Sequence, residues 1–216
     1  MNRKEIKAEA KAKVKGNKWN ILWPLLVMGV VYGIIGAIFG VSSSFDFSSL
    51  NEAASISPVA GIGTLIGILL TCFFSAGYIK YLITFARTGK FDSNEIIKTV
   101  KEKWLNILIA SILVYVIVSL CTILFVIPGI IMKLAYSFAM YLVVDTEVSG
   151  SDALRESRQM MKGYKWNYFV FLLSFIGWFI LGLFTFGISY IWLIPYMFIS
   201  SILYYDKLKA NTKKAE

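Results

Sequence analysis

Six stretches of this chain are too long and too apolar to be ordinary core segments. They are residues 19–41, 59–86, 104–126, 128–144, 167–184 and 187–205. A helix needs about 20 apolar residues to cross the hydrocarbon of a bilayer. In that solvent the backbone must satisfy its own hydrogen bonds, so only helices and closed barrels span it. The runs are continuous rather than alternating, which predicts helices. Charged residues make up 16% of the chain, against about 25% in a soluble domain. The shortest run begins at Ile127-Pro128-Gly129, a helix break in the sequence. It reads either as a full span or as a re-entrant segment packed against protein.

The cations test this division. The segments before the first run, between the second and third, between the fourth and fifth, and after the sixth hold seven, five, four and four Lys or Arg. Only Lys80 and Lys133 of the 22 basic residues fall elsewhere. The segment 42–58 has none, only Asp46 and Glu52. Basic residues are retained on the cytoplasmic side of a membrane. An even number of crossings is therefore predicted, with both termini cytoplasmic and 42–58 outside. The apolar run that opens the chain is longer than a signal-peptide core and lacks a clear cleavage site, so it is expected to stay as the first span.

One short phrase recurs where the chain enters the membrane from that side: Lys18-Trp19-Asn20, Lys103-Trp104 with Asn106, and Lys165-Trp166-Asn167. Trp favours the headgroup boundary, where its ring is in apolar surroundings and its N–H is wet. Lys extends its amine towards water and phosphate. Lys18, Trp19, Lys103, Trp104 and Trp166 are thus candidate interface anchors, and the echo suggests three hairpins.

The basic segments 1–18, 87–103 and 146–166 are helix-prone. In the last, Ser149 or Ser151 can cap a helix. Helical spacing then puts Ala153, Leu154, Ser157, Met160, Met161 and Tyr164 on one face. Arg155, Arg158, Lys162 and Lys165 form an adjoining stripe, a layout suited to lying in a membrane interface. Each basic side chain near an anionic leaflet contributes about 1 kcal/mol. These four, with Lys133, are candidate headgroup ligands. In the first segment the apolar face is thin, chiefly Ile6, Ala10 and Val14, so charge is expected to hold it at the membrane more than burial does.

What is missing narrows the chemistry. The chain has no histidine and two scattered cysteines, Cys72 and Cys121. Neither cysteine suits a metal site, and the usual general base is absent. No Asp or Glu lies well inside a run, which argues against a proton-driven pump. No phosphate loop or catalytic pair is present, and no metal or other cofactor is expected. Gly29, Gly33, Gly36 and Gly40, with Gly63 and Gly67, could let helices approach closely.

The stretches "FVIPGIIMKLAYSFAMYLVVD", "ALRESRQMMKGYKWNYFVFLLSFIGW" and "IWLIPYMFISSILYYDKL" resemble a Gram-positive integral-membrane family catalogued only as a domain of unknown function, the nine-seven-five family. The opening "MNRKEIKAEAKAKVKGNKW" resembles that family's start. A more distant similarity joins it to the membrane domain of some glycerophosphodiester phosphodiesterases, through Ile-Pro-Gly and a Ser157-to-Gly163 element. The resemblance implies location and fold and carries no catalytic residue.

Together these features predict one all-α polytopic membrane bundle of about six transmembrane helices in three hairpins, with amphipathic cytoplasmic helices. The expected role is non-enzymatic, in the bacterial cytoplasmic membrane. The expected partners are anionic lipids and either an envelope protein or a second copy of the chain, not nucleic acid. The alternative is a small transporter or permease component for an amphiphile or peptide, which calls for a polar cavity near Pro128 reaching Lys133.

Overall fold

A computed structural model describes residues 3–39, 58–185 and 189–213. Residues 42–57 of the expected outer loop lie outside it, as do Gly40 and the start of the sixth expected span. The described residues form ten helices and no strand. They are α1 (Arg3–Val14), α2 (Lys18–Phe39), α3 (Pro58–Thr88), α4 (Asn94–Leu124), α5 (Val126–Ala135), α6 (Ala139–Asp145), α7 (Gly150–Met160), α8 (Lys165–Leu173), α9 (Ile176–Phe184) and α10 (Tyr190–Lys213).

Among the described residues, five stretches are long and apolar enough to cross a membrane: Lys18–Ile38, Ile62–Thr88, Asn94–Leu124, Val126–Asp145 and Lys165–Gly182. Two of them are composite. Val126–Asp145 is α5 and α6 about a turn at 136–138, and Lys165–Gly182 joins α8 to α9 through Ser174 and Phe175. The sixth expected span falls in α10, a helix that is long but less apolar, with Pro195, several tyrosines and, past the expected span, Asp206 and Lys207.

Packing is uneven along the helices. In α3, Ala76, Tyr78, Leu82, Phe85 and Ala86 are buried, whereas Ile62, Leu65, Ile68 and Leu69 are exposed. In α4, Ile107 and Ala110 are buried and nothing from 111 to 124 is. The core therefore sits at the end that carries the basic segments. Its centre is aromatic: Phe138 lies 5.0 Å from Tyr168, which lies 4.9 Å from Tyr204. These rings join α6, α8 and α10. At the far end, apolar side chains face outwards, as a hydrocarbon solvent permits.

Close approach is made by a few glycines. A Cβ on Gly150 would lie 2.5 Å from the Asn106 carbonyl oxygen and 2.9 Å from the Ala110 nitrogen, so α7 rests directly on the α4 backbone. A Cβ on Gly77 would meet Ile96 at 2.7 Å, which fixes the α3–α4 pair. The expected glycine stripe of α2 behaves differently. Nothing lies within 4 Å of a Cβ at Gly29 or Gly33.

The helix break also lies elsewhere than expected. Chain reversal occurs at Phe125, whose extended backbone (φ −155°, ψ 131°) separates α4 from α5. Pro128 and Gly129 fall in the first turn of α5, where a missing N–H costs nothing. Gly129 is needed there for packing, because a Cβ would sit 2.3 Å from Thr122 Oγ1.

The N-terminal helix is not held by charge alone. Ile6, Ala10 and Val14 are fully or almost fully buried, and α1 packs along α10. Glu5 pairs with Lys207 at 3.3 Å, and the Lys13 amine donates to the Ala86 carbonyl at 2.5 Å. Lys7 donates to Ser174 and lies over the Phe175 ring at 4.2 Å. Three side chains that sequence pattern made look marginal are thus a full packing seam.

Overpacking a tight helix contact costs about 1–3 kcal/mol. Gly150→Val should therefore lower the thermal unfolding midpoint of the detergent-solubilised chain clearly, while Gly29→Ala leaves it unchanged.

Candidate functional site: a basic groove at the turn between α7 and α8

The groove is built from the cap upwards. Ser149 starts α7, its hydroxyl accepting from the Asp152 N–H at 3.3 Å. Ala153, Leu154, Ser157, Met160 and Met161 are buried against the protein. The Ser157 hydroxyl donates to the Ala135 carbonyl at 2.9 Å, fastening α7 to the end of α5. The apolar face expected to meet the membrane therefore meets the chain itself, chiefly α4 and α6. Periodicity shows that a face is apolar; it does not show what covers it.

Fixing that face turns the neighbouring stripe outwards. Arg155, Arg158 and Lys162 are exposed and Lys165 is half-buried. Gly163 makes the turn into α8 with φ +83°, a backbone region that favours glycine. Arg155, Arg158, Gln159, Lys162 and Lys165 line one open depression, with no carboxylate in its wall among the described residues. Trp166 follows immediately and is 74% exposed. A second depression lies alongside, walled by Asp152, Arg155, Glu156, Gln159, Met160, Lys209 and Thr212. That one mixes both signs of charge, so the groove nearer the turn is the better anion site.

The other singled-out residues divide differently. Trp19 and Trp104 point outwards, 68% and 52% exposed. Their lysines turn back into the protein. The Lys18 amine lies 2.9 Å from the centre of the Trp192 ring. Lys103 interrupts the regular helix of α4 (φ −120°, ψ 17°). It donates to the Thr146 carbonyl at 2.6 Å and pairs with Glu147 at 3.4 Å. Lys133 is exposed on α5 and is not part of the groove wall. The Pro128–Gly129 turn is closed by Thr122 rather than opened into a recess.

Sequence reasoning missed the charge cluster that holds this end together. Asp145 is 3% exposed in its side chain. It accepts two hydrogen bonds from Arg87, at 2.5 and 3.1 Å, one from Lys209 at 2.5 Å and one from the Tyr205 hydroxyl at 3.0 Å. Arg87 also pairs with Asp206 at 2.6 Å. The signal was present. Arg87, Asp145 and Asp206 each stand directly after a returning apolar run, following Ala86, Val144 and Tyr205. Three charges in the same position of three expected hairpins meet in space.

Removing one partner from a buried ion pair costs about 3–5 kcal/mol. Arg87 is 40% exposed, so the lower end applies. Asp145→Asn should thus lower the unfolding midpoint much more than Asp206→Asn, in thermal melts followed by circular dichroism.

Among the described residues, no group of three or more His, Cys, Asp or Glu is placed to hold a metal ion. Comparison with curated proteins and with solved structures finds no match. Comparison with family models does, over residues 1–132 and 116–212, which together take in nearly the whole chain. The chain belongs to the DUF975 family, proteins of unknown function.

Proposed function

We propose that this protein is a non-enzymatic, multi-spanning protein of the bacterial cytoplasmic membrane whose α7–α8 groove engages anionic lipid headgroups. Six crossings with both termini inside agree with the distribution of basic residues. They also agree with contacts that bring the ends of α3, α6 and α10 and the start of α4 to one end of the bundle. The observation that carries the reading is the carboxylate-free wall of Arg155, Arg158, Gln159, Lys162 and Lys165 beside an outward Trp166. Cations at that height face lipid phosphate, and Trp166 is suited to the same boundary. An acidic surface of an envelope protein offers the same complementarity and is the competing occupant.

The purified chain in nanodiscs of mixed phosphatidylglycerol and phosphatidylcholine should retain phosphatidylglycerol selectively, as counted by native mass spectrometry. Replacing Arg155, Arg158, Lys162 and Lys165 together by Gln should weaken that preference roughly tenfold or more, given about 1 kcal/mol per basic residue. Equal retention of both lipids by the unaltered chain would overturn the reading.

Topology has its own check. With Cys72 and Cys121 replaced by Ser, a cysteine at position 46 should react with an impermeant maleimide in intact cells. One at position 158 should react only after lysis. The reverse pattern would invert the orientation and remove the groove from the inner leaflet.

A further inference from the structure

We infer that the groove is a site for a membrane lipid carrying two phosphodiesters joined by a short polyol, a diphosphatidylglycerol-type lipid, in preference to a lipid with one phosphate. The inference rests on the anionic-lipid reading and names its ligand.

The layout of the cations favours two phosphates over one. Arg155 and Arg158 are three residues apart on α7, an axial rise of about 4.5 Å. Lys162 and Lys165 lie beyond the end of that helix, on either side of the Gly163 turn. Along the chain the four cations thus fall into two pairs, one on α7 and one about the turn, round a shared depression. A single phosphate is held well by one such pair, and Arg in particular offers it two parallel N–H donors. One phosphate would leave the other pair facing no anion, because no carboxylate among the described residues lines the wall. Two phosphates on a short linker occupy both pairs at once. The second is then held at a high effective concentration set by the linker.

The surroundings fix which end holds the tails. The exposed side of α7 gives Arg155, Arg158 and Gln159 to the groove wall. Trp166, 74% exposed, follows directly on Lys165 at the start of α8. An apolar ring there suits the glycerol and first methylenes of a lipid whose chains run down beside α8. A soluble diphosphate would use the cations and gain nothing from Trp166.

The test uses the full chain in neutral detergent, titrated with fluorescent diphosphatidylglycerol and, separately, with fluorescent phosphatidylglycerol at matched headgroup charge. Glycerol-1,3-bisphosphate serves as the soluble competitor. The two-phosphate lipid should bind on the order of tenfold more tightly. Arg155→Gln with Arg158→Gln, or Lys162→Gln with Lys165→Gln, should each bring its affinity down to that of phosphatidylglycerol. Arg155, Arg158 and Lys162 are exposed, and Lys165 is half-buried with no ion pair among the described residues, so both variants should keep the parent's helix content and melting point. Trp166→Ala should weaken lipid binding and leave the weak binding of the soluble bisphosphate unchanged. Equal affinity for the two lipids at matched charge would overturn the inference and leave the anionic-lipid reading standing. Preference retained in both double variants would move the site elsewhere and equally overturn it. Full displacement by soluble bisphosphate at the lipid's own concentration would assign the groove to a soluble anion. Failure of either lipid to bind would remove both readings.

Discussion

A carboxylate at the edge of an apolar bundle is costly unless several donors meet it, and Asp145 is met by four. Two come from Arg87 on α3, one from Lys209 and one from Tyr205 on α10. Taking such an ion out of water costs several kcal/mol, recovered only when its remaining lone pairs are satisfied. The constraint is therefore positional: the ends of three helices must arrive at one point in a fixed rotation. With those ends fixed, α6 sets the height at which α7 begins. The Ser157 bond to Ala135 and the contact of Gly150 on the α4 backbone then set its roll. The outward direction of Arg155 and Arg158 follows from that roll.

The opposite end obeys a different rule. In lipid there is no hydrophobic gain when helices meet, since hydrocarbon is as apolar as leucine. Helices there need only remain helical, and Tyr115, Ile123, Leu124 and Phe125 stay more than two-thirds exposed. Only 11% of the apolar window of α4 is buried. The glycines follow the same division. Gly77 and Gly150 lie against neighbouring backbone at the charged end, whereas Gly29 and Gly33 touch nothing. Small residues in a membrane helix permit close contact without enforcing it.

How much could be read beforehand depends on what a pattern can carry. Long apolar runs and the placement of 20 cations are one-dimensional signals, and the helical architecture followed from them. Partner identity is not one-dimensional. Ile6, Ala10 and Val14 looked too few to hold α1, yet i, i+4 spacing aligns them on a single ridge that α10 covers completely. Lys18 and Lys103 read as headgroup anchors because they precede tryptophan. A flexible four-carbon stem reaches a ring or a carbonyl as readily as a phosphate. The Pro-Gly pair pointed to a break, but proline in a first helical turn is unstrained, and the reversal fell three residues earlier at Phe125. The Asp145 cluster was legible in principle, since its charges each stand directly after an apolar run of the sequence. Finding it required comparing the ends of the apolar runs, not their interiors.

The same distinction separates the groove from the rest of the basic surface. Arg87, Lys103, Lys207 and Lys209 each have a carboxylate within the chain, and their charge goes into holding the fold. Arg155, Arg158, Lys162 and Lys165 have none among the described residues. Other cations, such as Lys98 and Lys101, are also exposed, but they line neither of the two depressions. Arg155, Arg158, Lys162 and Lys165 instead share one concave wall with Gln159, and of the four only Arg155 also borders the neighbouring depression that holds Asp152 and Glu156. An anion entering that wall would meet several cations at once, and this is the complementarity on which the proposed lipid site draws.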